Sequence, residues 1–192
     1  MKNLFLIAAA SAALATPQLA SAQALPAAVV AVVDVNRASS QCNACRTAVA
    51  TLESQLGALR ALQASLDSSL QTEARSIQAA VAALKGKQPD AALTTRARAF
   101  EQKQADAQRQ LQTRQATFER SRAFVFKQIQ DKLEPVVTGV LSRRGASVMI
   151  DSSNVVRFAP SVDVTNDVIA GLNSSLTSIN TNAPAAAAPQ GR

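Results

Sequence analysis

The chain has 192 residues, 20 Lys+Arg against 13 Asp+Glu, and a formal net charge of +7. It contains no His, Trp or Tyr, and its apolar share is inflated by alanine, which buries little area per residue. The length allows one ordinary domain, but this composition excludes histidine-based catalysis and argues against a single large core.

Met1–Ala22 reads as a signal peptide: Lys2 gives a positive start, Leu4–Leu14 an apolar run, and Ala20-Ser21-Ala22 a small-residue cleavage site. The expected product is a soluble, exported chain beginning near Gln23. Cleavage leaves 19 basic against 13 acidic residues, a net charge of +6. A basic exported protein favours anionic partners such as phospholipid head groups, lipopolysaccharide or acidic polypeptides. Nucleic acid does not suit that compartment.

Ala28–Val35 is dense in valine and reads as a strand buried on both faces. The spacing then predicts a helix from about Ser39 to Lys85, capped by Ser39 or Ser40, uninterrupted by proline and about 70 Å long. Gly86–Asp90 ends it, with Gly86 suited to the left-handed stop, Pro89 unable to continue a helix, and Asp90 placed to cap the next. A second helix follows from about Asp90 to Arg143. Folded back at this turn, Leu84 faces Leu93, Ile77 faces Phe100, Leu66 faces Leu111, Leu59 faces Phe118 and Leu52 faces Val125. Each pair of numbers sums to 177. Gln63 then falls opposite Arg114, and Glu73 opposite Gln104. A constant sum over several heptads describes an antiparallel helical hairpin whose apolar stripe faces itself.

Beyond Val125 the apolar positions shift to Phe126, Ile129, Leu133, Val136 and Val140. Pro135 within this stretch predicts a kink or a change of packing partner where the hairpin leaves a body. Arg143-Arg144-Gly145 is a C-terminal stop, with cations at the negative end of the helix dipole. Ala146–Asp151 and Val155–Phe158 read as two strands joined by a Ser152-Ser153-Asn154 hairpin loop. After Pro160, Asp163 or Thr165 caps a last helix with Val164, Val168, Leu172, Leu176 and Ile179 on one face. Asn180–Arg192 lacks periodicity and reads as a disordered tail.

The expected fold class is mainly α with a small β body (α+β). In domain terms, residues 1–22 are the signal, 23–38 with 144–179 a discontinuous β-rich body, 39–143 the arm with its tip at 86–90, and 180–192 the tail. A small sheet carrying such an arm leaves apolar faces exposed, so oligomerisation is expected.

The valine-rich Val29–Arg37 (VVAVVDVNR), the long hairpin, and Ser147–Leu172 (with VMID, VVRF and DVTNDVIAGL) resemble the Skp/OmpH family of periplasmic chaperones. The resemblance implies a homotrimer whose strands form a central barrel and whose hairpins surround a cavity. That cavity holds unfolded outer-membrane β-barrel proteins without ATP or any cofactor. Between Lys87 and Lys132 there are ten cations and five acids, and this surplus suits attraction of acidic clients or repulsion between arms. Arg96, Arg98, Lys103, Arg109, Arg120, Arg122, Phe124 and Phe126 are the candidate client-binding residues of the arm surface. Solvation of a helical face is the plainer explanation of any individual charge. Phe100 and Phe118 are assigned to hairpin packing by their mirrored partners. No residue is carried over for the family's lipopolysaccharide-binding cluster, because the local alignment is ambiguous.

Cys42-Asn43-Ala44-Cys45 departs from the usual family pattern. In an oxidising compartment the pair reads as a structural disulfide, as an intersubunit bridge or regulatory thiols, or as a redox-active dithiol. The missing βαβ context disfavours a thioredoxin-like enzyme, and the lack of further Cys or His disfavours zinc. Three functions therefore compete: an ATP-independent holdase first, then a coiled-coil spacer or adaptor of the envelope, then a C-x-x-C redox protein. No histidine base, phosphate-binding glycine loop or placed carboxylate pair points to an enzyme.

Overall fold

The computed structural model describes residues 27–184. The expected signal peptide and most of the expected tail lie outside them. In chain order the elements are β1 (Val30–Val33), α1 (Val35–Gln41), α2 (Asn43–Ala83), α3 (Ala91–Arg143), β2 (Val148–Asp151) and α4 (Thr165–Ser175).

β1 and β2 pair in parallel, with Val30 opposite Val148 and Val33 opposite Asp151. Parallel neighbours need a long crossover connection, and here the whole helical hairpin is that connection. On its other side Val32 bridges Asp163, and the Val164 amide donates to the Val32 carbonyl at 2.9 Å. β1 is therefore flanked on both edges, and Ala31, Val32 and Val33 are all buried, as its unbroken apolar run implies.

The first helix starts earlier than expected and is broken. Asp34, not Ser39 or Ser40, caps α1 by accepting from the Arg37 amide at 2.7 Å. Cys42 then leaves the helical region, with ψ 149°, and caps α2 through its sulfur. Cys42 and Cys45 are joined by a disulfide and both are fully buried. Cβ atoms three residues apart in a regular helix sit about 5–6 Å apart, whereas a disulfide holds them near 3.8 Å. Leaving the helix at Cys42 closes that gap, which accounts for the break. Asn173 of α4 then covers the new helix end, accepting from the Asn43 amide at 2.7 Å.

α2 and α3 form the antiparallel hairpin. At the tip Lys85 and Gly86 both take positive φ, 46° and 88°, so the left-handed stop spans two residues and not glycine alone. Asp90 caps α3 by accepting from the Leu93 amide at 2.8 Å. α3 runs unbroken through Pro135 and ends in a Schellman motif: Ala146 N–H donates to Leu141 C=O at 3.0 Å and Gly145 N–H to Ser142 C=O at 3.1 Å. Its partner changes near Pro135 as expected, because Gly171 of α4 lies directly against Val136. On this stretch Val125, Ile129 and Val140 are buried while Phe126 is 51% exposed. The buried stripe thus runs through Val125, and Phe126 stands outside it.

The Val155–Phe158 strand is not formed. Ser152–Asn154 make a 3₁₀ turn instead of a hairpin loop, with Asp151 accepting from the Ser153 amide at 2.8 Å. That turn carries the segment away from the outer edge of β2, which stays unpaired among the described residues, while the far edge of β1 is taken by Asp163 and Val164. Val156 is fully exposed and Phe158 36% exposed. α4 buries Val168 and Leu172, flanked by Val164 and Leu176, but stops at Ser175. There the hydroxyls of Ser174 and Ser175 compete for the Gly171 carbonyl at 2.9 and 2.8 Å. Ile179 still packs on the core, though outside the helix. The tail begins later than Asn180, because Asn180 and Thr181 are bonded to the arm.

Asp163 does not cap α4 in the usual position. It accepts from the Thr165 amide at 2.9 Å and the Thr165 hydroxyl at 2.5 Å, while Thr165 Oγ1 accepts from the Asp34 amide at 2.9 Å. The Thr165 bonds hold the Asp163 carboxyl below the ordinary carboxylate range, with Arg37 helping.

Three outcomes test this packing. A Cβ at Gly171 would sit 2.6 Å from Val136 Cγ1, and a β-branched side chain on a helix has little freedom to yield. Gly171→Ala should therefore destabilise by about 1–3 kcal/mol despite its better helix propensity, and Val136→Ala should restore the loss in a denaturant titration. Replacing both cysteines by serine should cost about 2 kcal/mol, the chain-entropy value for so short a loop, read from the thermal midpoint under non-reducing conditions. Because Asp163 is depressed in the fold, its contribution is present above the unfolded value of 3.8 and lost as pH falls through its lower folded value. Asp163→Asn should flatten that acid limb of the stability curve.

Candidate functional site

The arm holds most of the described residues, and most of them are exposed. α2 alone, 41 residues, reaches about 60 Å. All ten residues of the five mirrored pairs are buried or half-buried, so the hairpin stripe is the expected one. Only near the root does it close fully, at Leu52 and Val125. Farther out, Leu59 and Phe118 line one cleft of about 500 Å³ together with Ala58, Leu62 and Arg114. Leu66 and Leu111 line another of about 440 Å³ with Leu70 and Ala107. These apolar side chains are half-buried along the clefts and so remain partly open to water.

One polar interruption takes a side-chain partner other than the mirrored residue. Glu73 does not meet Gln104, which is exposed; it pairs with Arg96 Nε at 2.8 Å, and Arg96 Nη2 reaches Ser76 at 2.8 Å. A guanidinium on a long flexible stem selects the nearest carboxylate, whatever the register of the backbone beneath it. Gln63 is exposed, and Arg114 lines the first cleft beside Leu62.

The eight candidate client-binding residues do not converge. They spread along α3 from Arg96 to Phe126, about 45 Å of helix. Arg96 and Lys103 bridge to α2, the lysine through Ser69 Oγ at 2.9 Å. Arg109 pairs with Asp106 one turn back, and Arg122 with Glu119 at 3.7 Å. Arg120 donates to Thr117 Oγ1 at 3.1 Å. The Arg122 guanidinium also lies over the Phe126 ring at 5.8 Å, which shields one face of an otherwise exposed aromatic. Phe124 is half-buried.

One pattern among these charges lies in the spacing. Arg98, Arg109 and Arg120 recur every eleven residues, near three full turns, so they share a single face of α3 at intervals of about 16 Å. That face lies across the helix from Ala107 and Val125, the buried side. The eleven-residue step was legible in the sequence, but only the structure shows which side of α3 it occupies.

Among the described residues no three His, Cys, Asp or Glu gather as metal ligands, and no helix is long and apolar enough to cross a membrane. Both cysteines are in the disulfide and wholly buried, so neither sulfur is presented to a substrate.

The arm, the parallel two-stranded sheet and the closing helix can be set beside known proteins. No curated protein matches the chain. Among solved structures, the crystal structure of a proposed outer membrane chaperone (OmpH-like) from Caulobacter crescentus CB15 aligns with a TM-score of 0.67 at 21% identity, covering 82% of this chain and 90% of that one. At that identity the likeness speaks for the fold, a helical hairpin on a small β body. The family model for outer membrane proteins of the OmpH-like type matches residues 29–172, from β1 into α4. That span covers most of the chain, and the protein belongs to the OmpH-like family.

Proposed function

We propose that this protein is an ATP-independent holdase of the periplasm, which binds unfolded outer-membrane β-barrel proteins between its helical arms and keeps them from aggregating. The observation that carries the reading is the state of the arm's apolar residues. Leu59, Leu62, Leu66, Leu70, Leu111 and Phe118 are all half-buried along open clefts. Each offers part of its surface to a passing apolar segment, and none of the sites is shaped for one particular sequence. Many weak contacts of this kind hold a chain without selecting it, and they need no nucleotide because release follows from mass action.

Family membership supports the reading, as does the likeness to the Caulobacter protein, which is itself described as a chaperone. A homotrimer is part of the proposal. Val29, Val30, Val148 and Val156 are exposed on the body, beside the outer edge of β2, which is unpaired among the described residues. An exposed apolar strand edge is a surface that pairing between copies covers. The Arg98, Arg109 and Arg120 stripe suits anionic surfaces, including acidic clients, phospholipid head groups and lipopolysaccharide. The proposed role is non-enzymatic and needs no cofactor.

The test uses the mature protein and a urea-denatured β-barrel protein diluted into buffer. Light scattering should be suppressed almost completely when trimer and client are equimolar, with native mass measurement giving the trimer. Removing matched heptads from the two arms, 69–75 and 102–108, shortens each by about 10 Å and should lower the largest client protected. Scattering at the unassisted rate, or protection indifferent to arm length, would overturn the proposal.

A further inference from the structure

We infer that Leu176–Asn182 is a latch across the root of the arm, which holds α2 and α3 at a fixed spacing and so sets access to the cleft around Leu59 and Phe118. The segment has two properties that point this way. It joins both arm helices at once: the Gln128 side chain of α3 donates to the Asn180 carbonyl at 2.8 Å and accepts from the Asn180 amide at 3.0 Å, while Gln55 of α2 donates to the Thr181 carbonyl at 3.5 Å. It ends on the cleft itself, where Asn182 shares the lining with Leu59 and Phe118.

The holding forces are graded. Leu176 is buried at 7% exposure and anchors the segment to the core under α4. Ile179 is only half-buried. Beyond it the contacts are hydrogen bonds at the surface, with the Asn182 amide closing a small turn onto Asn180 Oδ1 at 2.9 Å. The composition, Leu-Thr-Ser-Ile-Asn-Thr-Asn, carries no charge and, after Leu176, no strong helix former. Such a segment opens locally while the core beneath it stays folded. Its bonds to Gln128 and Gln55 are made at the point where the hairpin passes from the closed packing of Leu52 and Val125 to the open cleft, so releasing them frees the helices to part just where the arm begins. On the holdase reading, an entering apolar client segment displaces the latch and a departing one lets it close.

The test is made on the full mature chain, with spin labels at Arg60→Cys and Gln115→Cys on exposed positions of the two helices and the native disulfide left oxidised. Gln128→Ala removes both bonds to Asn180, and Ile179→Asp drives the segment into water by taking its half-buried side chain off the edge of the core. Gln130→Ala, exposed on the same helix, is the control. Both latch variants should broaden and lengthen the distance distribution and raise amide exchange across residues 55–62 and 114–121 by roughly tenfold, with the control unchanged. An unaltered distance and exchange rate in both variants would overturn the latch. Client protection is measured in parallel: helices that part in a protein with no holdase activity would remove the functional reading and leave the latch standing.

Discussion

The parallel pairing of β1 with β2 is the constraint from which the rest follows. Two strands that run the same way cannot be joined by a tight turn, so the chain must leave the sheet at Val33 and return to it at Val148. This protein makes that excursion with a hairpin much longer than the body it departs from. Every contact at the arm root then serves to make the departing and returning segments meet. Asp34 caps the outgoing helix, the Schellman turn at Gly145 ends the incoming one, and Thr165 ties the Asp34 amide to the start of α4. A helix pair without this closure would have no fixed direction relative to the body.

Energy is distributed unevenly along the excursion. At the root, Ala44, Ala48, Leu52, Val125 and Ile129 are buried together with α4 and the disulfide. Beyond Leu52 and Val125 only Ala107 and Ser121 are buried in the two arm helices, and neither adds much apolar area. What keeps the outer arm helical is chiefly intrinsic propensity, the capping at Asp90 and a few side-chain bridges such as Arg96–Glu73. Exposed bridges of that kind contribute little each. An arm built this way is stable as a helix pair yet weakly held as a packed unit, which is the condition for rearranging around a bound chain.

The sequence disclosed the hairpin because heptad spacing is a local signal repeated many times, and the mirrored sum of 177 needs only a turn at Gly86–Pro89 to be read. It disclosed β1 because an unbroken valine run has few other uses. It failed where the outcome depended on competition between distant segments. Val155–Phe158 has strand composition, but the 3₁₀ turn at Ser152–Asn154 carries it off β2, and Asp163 and Val164 are the residues that reach the far edge of β1, a pairing that no local pattern contains. Cys42 interrupts a stretch of good helix formers because its bond to Cys45 needs Cβ atoms closer than a helix provides. Phe126 kept the right spacing and fell outside the stripe, since a step of three or four residues is compatible with two adjacent faces. The candidate charges were individually visible, whereas the separation of bridging residues (Arg96 and Lys103) from the outward Arg98, Arg109 and Arg120 required the helix pair to be oriented.

Two features of the arm root converge on one place. The C-x-x-C disulfide ends α1 and starts α2, and the segment after α4 crosses from α2 to α3 a few turns farther along. Asn173, between them in the chain, caps the helix that the disulfide creates. A change in the packing of α4 is thereby transmitted to the start of the arm from two sides: through the cap on Asn43 and through the bonds to Gln55 and Gln128. Over a helix of this length, a turn of 10° at the root displaces the tip by about 10 Å, so modest shifts at these contacts are large movements of the outer arm. On the proposed reading the outer arm supplies the surface, and the root sets how widely it opens.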